Sequence, residues 1–251
     1  GECGRRVCVS ASERPDRSGG RPELLGAVPQ ALVLGFVRSI SWLDPGRLGR
    51  MLHSKAFVKK TKKGKILKVV KEHYLRDDIY CGSPLAAPEH RGPDPAACKL
   101  AADAAQYIVI DTNVALHQMD VLEAAAITDV VVPSIVLDEV KHKNVSAYNR
   151  LRVLCASETK RFFVFSNEHH KDTYVKMEAG ESPNDRNDRA IRQAALWYQQ
   201  VVPGMKILLV TDDADNRRKA ADAGLTAMST REFATSLVGQ PELQDLVAAG
   251  G

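Results

Sequence analysis

The sequence has 251 residues, of which 44% are hydrophobic and 26% are charged, the ordinary composition of a globular protein. Its five cysteines are few and odd in number, which argues against a disulfide framework and favours a reducing compartment. The net charge of +4 is too small to indicate nucleic-acid binding by itself, and no apolar run approaches the roughly 18 residues of a membrane span.

The first 106 residues fall into three segments of different composition. Residues 1–50 are rich in Gly, Arg, Ser and Pro without a sustained period, and we predict that they are a disordered extension. Residues 51–106 are predicted to be a basic segment and a linker. The basic part, residues 51–76, indicates contact with RNA phosphates or with an acidic partner, and the composition leaves both open. Residues 81–106 carry Gly, Pro and Ala and predict a linker or loop.

From Tyr107 onward, short apolar runs alternate with segments of helical periodicity. The predicted strands are Tyr107–Ile110, Val130–Val132, Phe162–Phe165, Lys206–Val210 and Leu225–Met228. The predicted helices are Val114–Ala125, Ser134–Lys143, Ala147–Ser157, Asp185–Gln200 and Ala214–Ala223. This alternation predicts a three-layer α/β domain over residues 107–238, with a central, mainly parallel sheet, followed by a tail at 239–251.

A carboxylate follows the first of these strands. Asp111 comes directly after Tyr107–Ile110, at the carboxyl end of the sheet, where functional groups of such folds gather. It could cap the following helix, since a side-chain oxygen can accept hydrogen bonds from the first turn. The other acids of the domain decide between capping and a functional role.

The helix that begins near Ser134 carries a second candidate. Glu139 falls between Ile135 and Val136 on the apolar stripe, whereas Asp138 points away from it. A carboxylate on a buried face needs a partner. That partner is either a buried Arg or Lys or a shared ligand.

The helix of residues 185–200 carries a third candidate. Ser182 and Asp185 fit a capping arrangement, which gives Asp185 a structural role. Asp188 shares a face with Ile191 and Tyr198 and so points towards the sheet. Arginines lie close by and could pair with the acids or contact phosphates; they are Arg186, Arg189 and Arg192.

The strand Lys206–Val210 is also followed by acids, Asp212 and Asp213, and the pattern alone does not decide which of the two faces inward. Two strands thus end in carboxylates, and two helices carry one on the sheet-facing side. Clustered like charges repel, and a divalent cation relieves that repulsion. Ligands that are all oxygen atoms favour Mg²⁺ or Mn²⁺, ions that promote attack of water on phosphorus.

The sequence contains four motifs, IDTN, LDEV, NDRND and VTDD, in the order and spacing of the PIN-domain nucleases, which it resembles. It also contains the longer stretches MLHSKAFVKKTKKGKILKVVKEHYLRDDI and GESPNDRNDRAIRQAALWY, which resemble the amino-terminal region of the catalytic ribonuclease subunits of the RNA exosome. The resemblance covers about residues 51–246.

This resemblance implies a function and its residues. The metal-binding acids of the family fall on Asp111, Glu139, Asp188 and Asp213, which selects Asp213 over Asp212. It implies a Mn²⁺- or Mg²⁺-dependent endoribonuclease in which water attacks phosphorus and leaves a 5′-phosphate and a 3′-hydroxyl. The implied partners are single-stranded RNA and exosome core subunits, without a membrane or a small-molecule cofactor. The implied location is the nucleus, with the cytoplasm as a second one.

The chain departs from the family at two points. The family's short cysteine cluster is reduced to Cys81, and the remaining candidates, His90 and Cys98, lie at a loose spacing that argues against zinc. The exoribonuclease module that follows in the family is not found in these 251 residues, so we expect no processive 3′-to-5′ degradation.

Two other functions remain open. A PIN fold could serve mainly to tether an exonuclease to the exosome, although a pure scaffold gains nothing from clustered acids. A phosphoacceptor receiver domain also places acids at strand ends, but it would need a lone central Asp with a Lys opposite and no buried Glu139.

Overall fold

The structure is a computed structural model, and it describes residues 50–62 and 64–248. The segment predicted to be disordered, residues 1–50, lies outside the described residues apart from Arg50. Arg50–Lys60 (β1) and Ile66–Leu75 (β2) form an antiparallel hairpin. The basic stretch is therefore a two-stranded ribbon, an element that its composition did not predict.

A five-stranded parallel sheet lies at the centre of the domain. Its strands are Tyr107–Ile110 (β3), Val130–Pro133 (β4), Phe163–Phe165 (β5), Ile207–Val210 (β6) and Thr226–Met228 (β7). Their order is β5-β4-β3-β6-β7, and every neighbouring pair is parallel. β3, β4 and β6 are buried at every position, because helices cover both faces, whereas the outer strands β5 and β7 are partly exposed. The predicted fold class is confirmed.

The helices agree with the predicted pattern, with one interruption and three additions. They are Pro88–Arg91 (α1), Thr112–His117 (α2), Met119–Glu123 (α3), Ser134–Lys143 (α4), Val145–Ala156 (α5), Pro183–Val201 (α6), Ala214–Asp222 (α7), Thr230–Ser236 (α8) and Glu242–Leu246 (α9). The predicted helix Val114–Ala125 is divided at Gln118, whose buried amide contacts Asp212 and Ala248 far along the chain. Among the described helices, none has the length and apolarity needed to cross a membrane.

The expected linker at residues 81–106 is mainly loop, but its first part packs against the core. The Tyr198 hydroxyl donates a 2.7 Å hydrogen bond to the Cys81 carbonyl, and the Ser83 and Tyr107 hydroxyls lie 2.8 Å apart. Gly82 has a φ of +70°, and a Cβ there would come within 2.5 Å of the Phe163 ring. Only glycine satisfies both conditions, so this loop is fixed against the edge of the sheet.

A buried ion pair fixes the start of β4. Asp129 is 2% exposed and has a φ of 58°, a left-handed conformation that Asp and Asn tolerate. Its carboxylate accepts hydrogen bonds from Arg161 at 2.7 and 2.6 Å and from the Ala101 N–H at 2.8 Å. Burial by itself would raise the pKa of Asp129, but the bonds from Arg161, Ala101 and Thr128 outweigh it and lower the pKa.

We expect Asp129→Asn to reduce the free energy of unfolding by about 1–3 kcal/mol, because the new amide presents donors to the Arg161 guanidinium. Asparagine has the same shape as aspartate and tolerates the left-handed backbone conformation. The loss of stability therefore reports the removal of the negative charge. Urea denaturation followed by circular dichroism measures it. The exposed Asp138→Asn serves as control and should not change stability; an equal loss in both variants would contradict the assignment.

Candidate active site

The site lies where the strand order changes direction. The chain runs from β3 outward to β4 and β5, then returns to the other side of β3 with β6 and β7. The last residues of β3 and β6, Ile110 and Val210, are paired in register. Asp111 and the segment Thr211–Asp213, which follow these strands, are therefore neighbours at the carboxyl edge of the sheet, where parallel α/β folds bind ligands.

Asp111 is nearly inaccessible to solvent, with 1% of its surface exposed. Its Oδ1 accepts a 2.6 Å hydrogen bond from the Thr112 N–H, and its Oδ2 accepts a 2.5 Å bond from the Thr211 hydroxyl. Burial raises the pKa of Asp111, and the nearby Glu139 adds to the rise, while the hydrogen bonds oppose it. The carboxylate caps α2, one of the two roles that the sequence predicted, and among the described residues no cationic side chain forms an ion pair with it.

Glu139 faces Asp111 across a shared threonine. Its Oε2 accepts a 2.6 Å hydrogen bond from the Thr112 hydroxyl, and 16% of its side chain is exposed, whereas Asp138 is exposed to solvent. The predicted orientation of α4 is thus confirmed. The alternative prediction, that Glu139 pairs with a buried Arg or Lys, is wrong. Its ion-pair partner among the described residues is the Lys143 ammonium, 3.6 Å away on a side chain that is 47% exposed.

Asp188 shows that the four acids share one electrostatic environment. Its pKa is raised to about 7, first by burial and then by the charges of Asp111, Asp213 and Glu139, while Arg192 opposes the rise. Its own hydrogen bond is a long one, 3.4 Å from the Asn184 amide. On the same helix Asp185 has the predicted capping role, since its N–H donates to the Ser182 hydroxyl at 3.1 Å.

The structure distinguishes Asp212 from Asp213. Asp212 accepts hydrogen bonds from the Thr230 N–H at 2.8 Å and the Thr230 hydroxyl at 3.0 Å, and from Gln118 at 3.3 Å. It ties β6 to α8 and α2. Asp213 caps α7 and contributes to the raised pKa of Asp188, which supports its selection as the fourth acid of the site.

Three side chains that the sequence analysis did not single out hold these acids in place. Thr112 joins Asp111 to Glu139, and the Thr211 hydroxyl donates to Asp111 and accepts from the Asp213 N–H at 3.2 Å. Asn216 is 2% exposed; its N–H donates to Asp213 and its side-chain amide lies 3.5 Å from Asp111. The two threonines stand beside acids in DTN and TDD, which is the signal that could have identified them.

The arginines of α6 have separate roles. Arg186 pairs with Glu168 at 2.8 Å and Arg189 with Glu181 at 2.7 Å, so both fasten the loop before the helix. Arg192 donates a 2.5 Å hydrogen bond to the side-chain Oδ1 of Asn216. Burial lowers the pKa of Arg192, and the charge of Asp188 opposes this effect. Within the described residues, neither Arg192 nor any other cationic side chain lies within 4 Å of a carboxylate oxygen of Asp111, Asp188 or Asp213.

The donors of the site have the chemistry of a Mg²⁺ or Mn²⁺ site, since all are carboxylate oxygens. Their arrangement is open: among residues 50–62 and 64–248, no three Asp, Glu, His or Cys side chains converge closely enough to hold a metal ion as they stand. The same finding covers the loosely spaced Cys81, His90 and Cys98. Burial raises the pKa of the Cys81 thiol to about 11.

Comparison with known proteins agrees with this geometry. The profile of the PIN domain matches residues 108–231. Residues 108–231 are a PIN domain. A solved structure of the RRP44 PIN domain of T. brucei superposes on this PIN domain with a TM-score of 0.56 and 28% identity, over 69% of this chain and 99% of that one.

Curated relatives extend the similarity beyond the PIN domain. The chain is 53% identical over 199 residues to the exosome complex exonuclease RRP44 homolog A of Arabidopsis thaliana, covering 79% of this chain and 21% of that protein. It is 44% identical over 214 residues to the human exosome complex exonuclease RRP44, covering 79% and 22%. The chain thus spans about a fifth of the length of the curated relatives it matches.

The raised pKa of Asp188 predicts a pH-dependent stability. Because the folded-state pKa of about 7 exceeds the unfolded value of 3.8, the folded state holds the extra proton, and stability falls as pH rises from about 4 through 7. Without divalent cations, Asp188→Asn should melt about 2–4 °C above the wild type at pH 8, a gain that shrinks at pH 5.

The matched control is Asp185→Asn, three residues earlier on the same helix, which instead alters the hydrogen bond that the Ser182 hydroxyl donates to the Asp185 carboxylate. It should melt at or below the wild-type temperature at both pH values. If Asp188→Asn had no advantage at pH 8, the four acids would not repel one another across this site.

Proposed function

We propose that the PIN domain is a divalent-cation-dependent endonuclease of single-stranded RNA, acting in RNA processing and decay as part of an exosome catalytic subunit. The observation that carries the proposal is the group of four carboxylates, Asp111, Glu139, Asp188 and Asp213, whose repulsion is evident at Asp188. Water attack on phosphorus would leave a 5′-phosphate and a 3′-hydroxyl. We place this activity in the nucleus, with the cytoplasm as a second location.

The proposed cation is Mn²⁺ or Mg²⁺, held by these four acids. A bound cation of this kind supplies charge neutralisation at the phosphate and activation of water. The protein supplies orientation: Thr112 and Thr211 fix the carboxylates of Asp111 and Glu139 by short hydrogen bonds. Arg192 contributes positive charge beside Asp188 without pairing with it, which suits a phosphate oxygen at the edge of the site.

The order of the strands in the sheet supports a PIN nuclease over a receiver domain. Counting from the first strand of the sheet, the order is 3-2-1-4-5, whereas receiver domains of the flavodoxin-like class have the order 2-1-3-4-5. The exonuclease activity in the relatives' names is that of proteins about five times longer than the aligned region. The acids of this domain favour a separate, endonucleolytic reaction.

The decisive test is cleavage of a circular single-stranded RNA in the presence of Mn²⁺. A circle has no ends, so contaminating exonucleases cannot imitate endonuclease activity. We expect the wild type to open the circle. Asp111→Asn should lower the rate at least a hundredfold, because buried Asp111 accepts hydrogen bonds from both Thr112 and Thr211 at the centre of the site. Gel analysis of the linear product measures the rate.

The matched control is Asp138→Asn, an exposed acid beside Glu139, which should cut at the wild-type rate. A second readout is independent of cleavage: Mn²⁺ should raise the melting temperature of the wild type and of Asp138→Asn, but not that of Asp111→Asn. Equal cutting by Asp111→Asn and the wild type would exclude the proposed cation site.

A second function, docking to the exosome core, is favoured by the hairpin. Val58 and Ile66 are 69% and 68% exposed, and the strand register places both on one face with Val70. Lys60 and Lys68 lie on the same face. Exposed apolar side chains among lysines are typical of a protein-binding surface, and this face can act alongside catalysis.

We expect Val58→Asp combined with Val70→Asp to weaken binding to purified exosome core at least tenfold, since it places two charges in the proposed interface. Surface plasmon resonance measures the affinity. Both residues are far along the chain from the acids, so cleavage of the circle should be unchanged. Undiminished binding would show that this face of the hairpin does not dock.

A further inference from the structure

A small cavity lies against Asp213, one of the four acids, and has no assigned role. Its volume is about 200 Å³, and it is lined by Asn113, His117, Asp212 and Asp213. Asn113 and His117 stand one helical turn apart on α2, the helix that Asp111 caps, so their side chains share a face. The cavity therefore shares Asp213 with the proposed cation site.

The four lining residues differ in whether their side chains already have hydrogen-bond partners. Asp212 is engaged by Thr230 and Gln118, and Asp213 caps α7. By contrast, the side chains of Asn113 and His117 make no hydrogen bond, ion pair or ring contact with any other described residue. Asn113 is half-buried and His117 is exposed. The amide of Asn113 and the imidazole of His117 are therefore available to bind a ligand in the cavity.

The charge of the cavity selects what can enter it. Two carboxylates at its base oppose a phosphate, whereas a neutral group that donates hydrogen bonds suits them. Its volume is below the roughly 300–1,000 Å³ of pockets for drug-sized ligands. An amide can bind the edge of a nucleobase, and an imidazole ring can stack on its face, as in the recognition of single-stranded RNA.

We propose that this cavity holds the nucleoside next to the scissile phosphate, with Asn113 hydrogen-bonded to it and His117 stacked on its base. The proposal rests on the proposed function and deepens it, because it assigns the contacts that position the RNA strand. Asn113 and His117 are then specificity-determining residues, since they touch the substrate but not the reacting atoms. Loss of either should weaken substrate binding while the chemical step is preserved.

The test is the steady-state kinetics of circle cleavage by Asn113→Ala and His117→Ala. We expect KM to rise about fivefold without the hydrogen bond and about tenfold without the stacking ring, with kcat changed less than twofold. His142→Ala is the matched control, an exposed imidazole on α4 outside the cavity, and its KM should equal that of the wild type. Thermal melting verifies that all three variants fold.

A binding assay separates this proposal from the proposed function. Fluorescence anisotropy with a labelled single-stranded RNA, in the Asp111→Asn background with EDTA, reports affinity even if the wild type never cuts. The same two variants should weaken that affinity by similar factors. Unchanged KM and unchanged affinity in both variants would overturn the proposal. It would equally be overturned if they raised only the Mn²⁺ requirement, since that would indicate a cation in the cavity.

Discussion

Asp111 lies at the end of the central strand with 1% of its surface exposed, and three other carboxylates act on the same small region. Charges so placed cost stability, because burial removes water and like charges repel. The surrounding structure offsets part of this cost with hydrogen bonds from Thr112, Thr211 and Asn216. These bonds hold the acids in position without neutralising them. This excess of negative charge is the feature that supports the proposed divalent-cation site.

The distribution of arginines shows that this lack of neutralisation is local. Elsewhere in the domain, acids near arginines form short ion pairs. These pairs are Arg161 with Asp129, Arg186 with Glu168, Arg189 with Glu181, and Arg150 with Glu123. Arg192 differs from these arginines, because it lies near Asp188 but donates its hydrogen bond to the side-chain Oδ1 of Asn216. The domain therefore uses acids paired with arginines to fix its loops and strand ends, whereas within the described residues Asp111, Asp188 and Asp213 form no ion pair and Glu139 has only the 3.6 Å contact with the half-exposed Lys143.

The scaffold positions each acid on a rigid element. β3 and β6 are buried on both faces and end side by side, which fixes Asp111 and the start of α7. α4 and α6 pack against the sheet through apolar faces, and the side chains of Glu139 and Asp188 project from the ends of those faces. Ligand-binding groups held by strands and helices are more accurately placed than groups on loops. The cavity beside Asp213 uses the same principle, since α2 positions Asn113 and His117.

Sequence alone determined the parallel α/β fold, because the alternation of apolar runs and helical periods admits few other arrangements. It also determined which acids of α4 and α6 face inward, since an angle of about 100° per residue separates Glu139 from Asp138. The hairpin was not predicted, because its many lysines obscure the alternation of apolar and polar residues that is typical of a strand. The break between α2 and α3 at Gln118 was not predicted either, because it arises from contacts with Asp212 and Ala248. The resemblance selected Asp213 over Asp212, and only the tertiary structure shows which partners these adjacent residues have: Thr230 donates to Asp212, whereas Asp213 caps α7. Such choices depend on three-dimensional neighbours, which local periodicity does not encode.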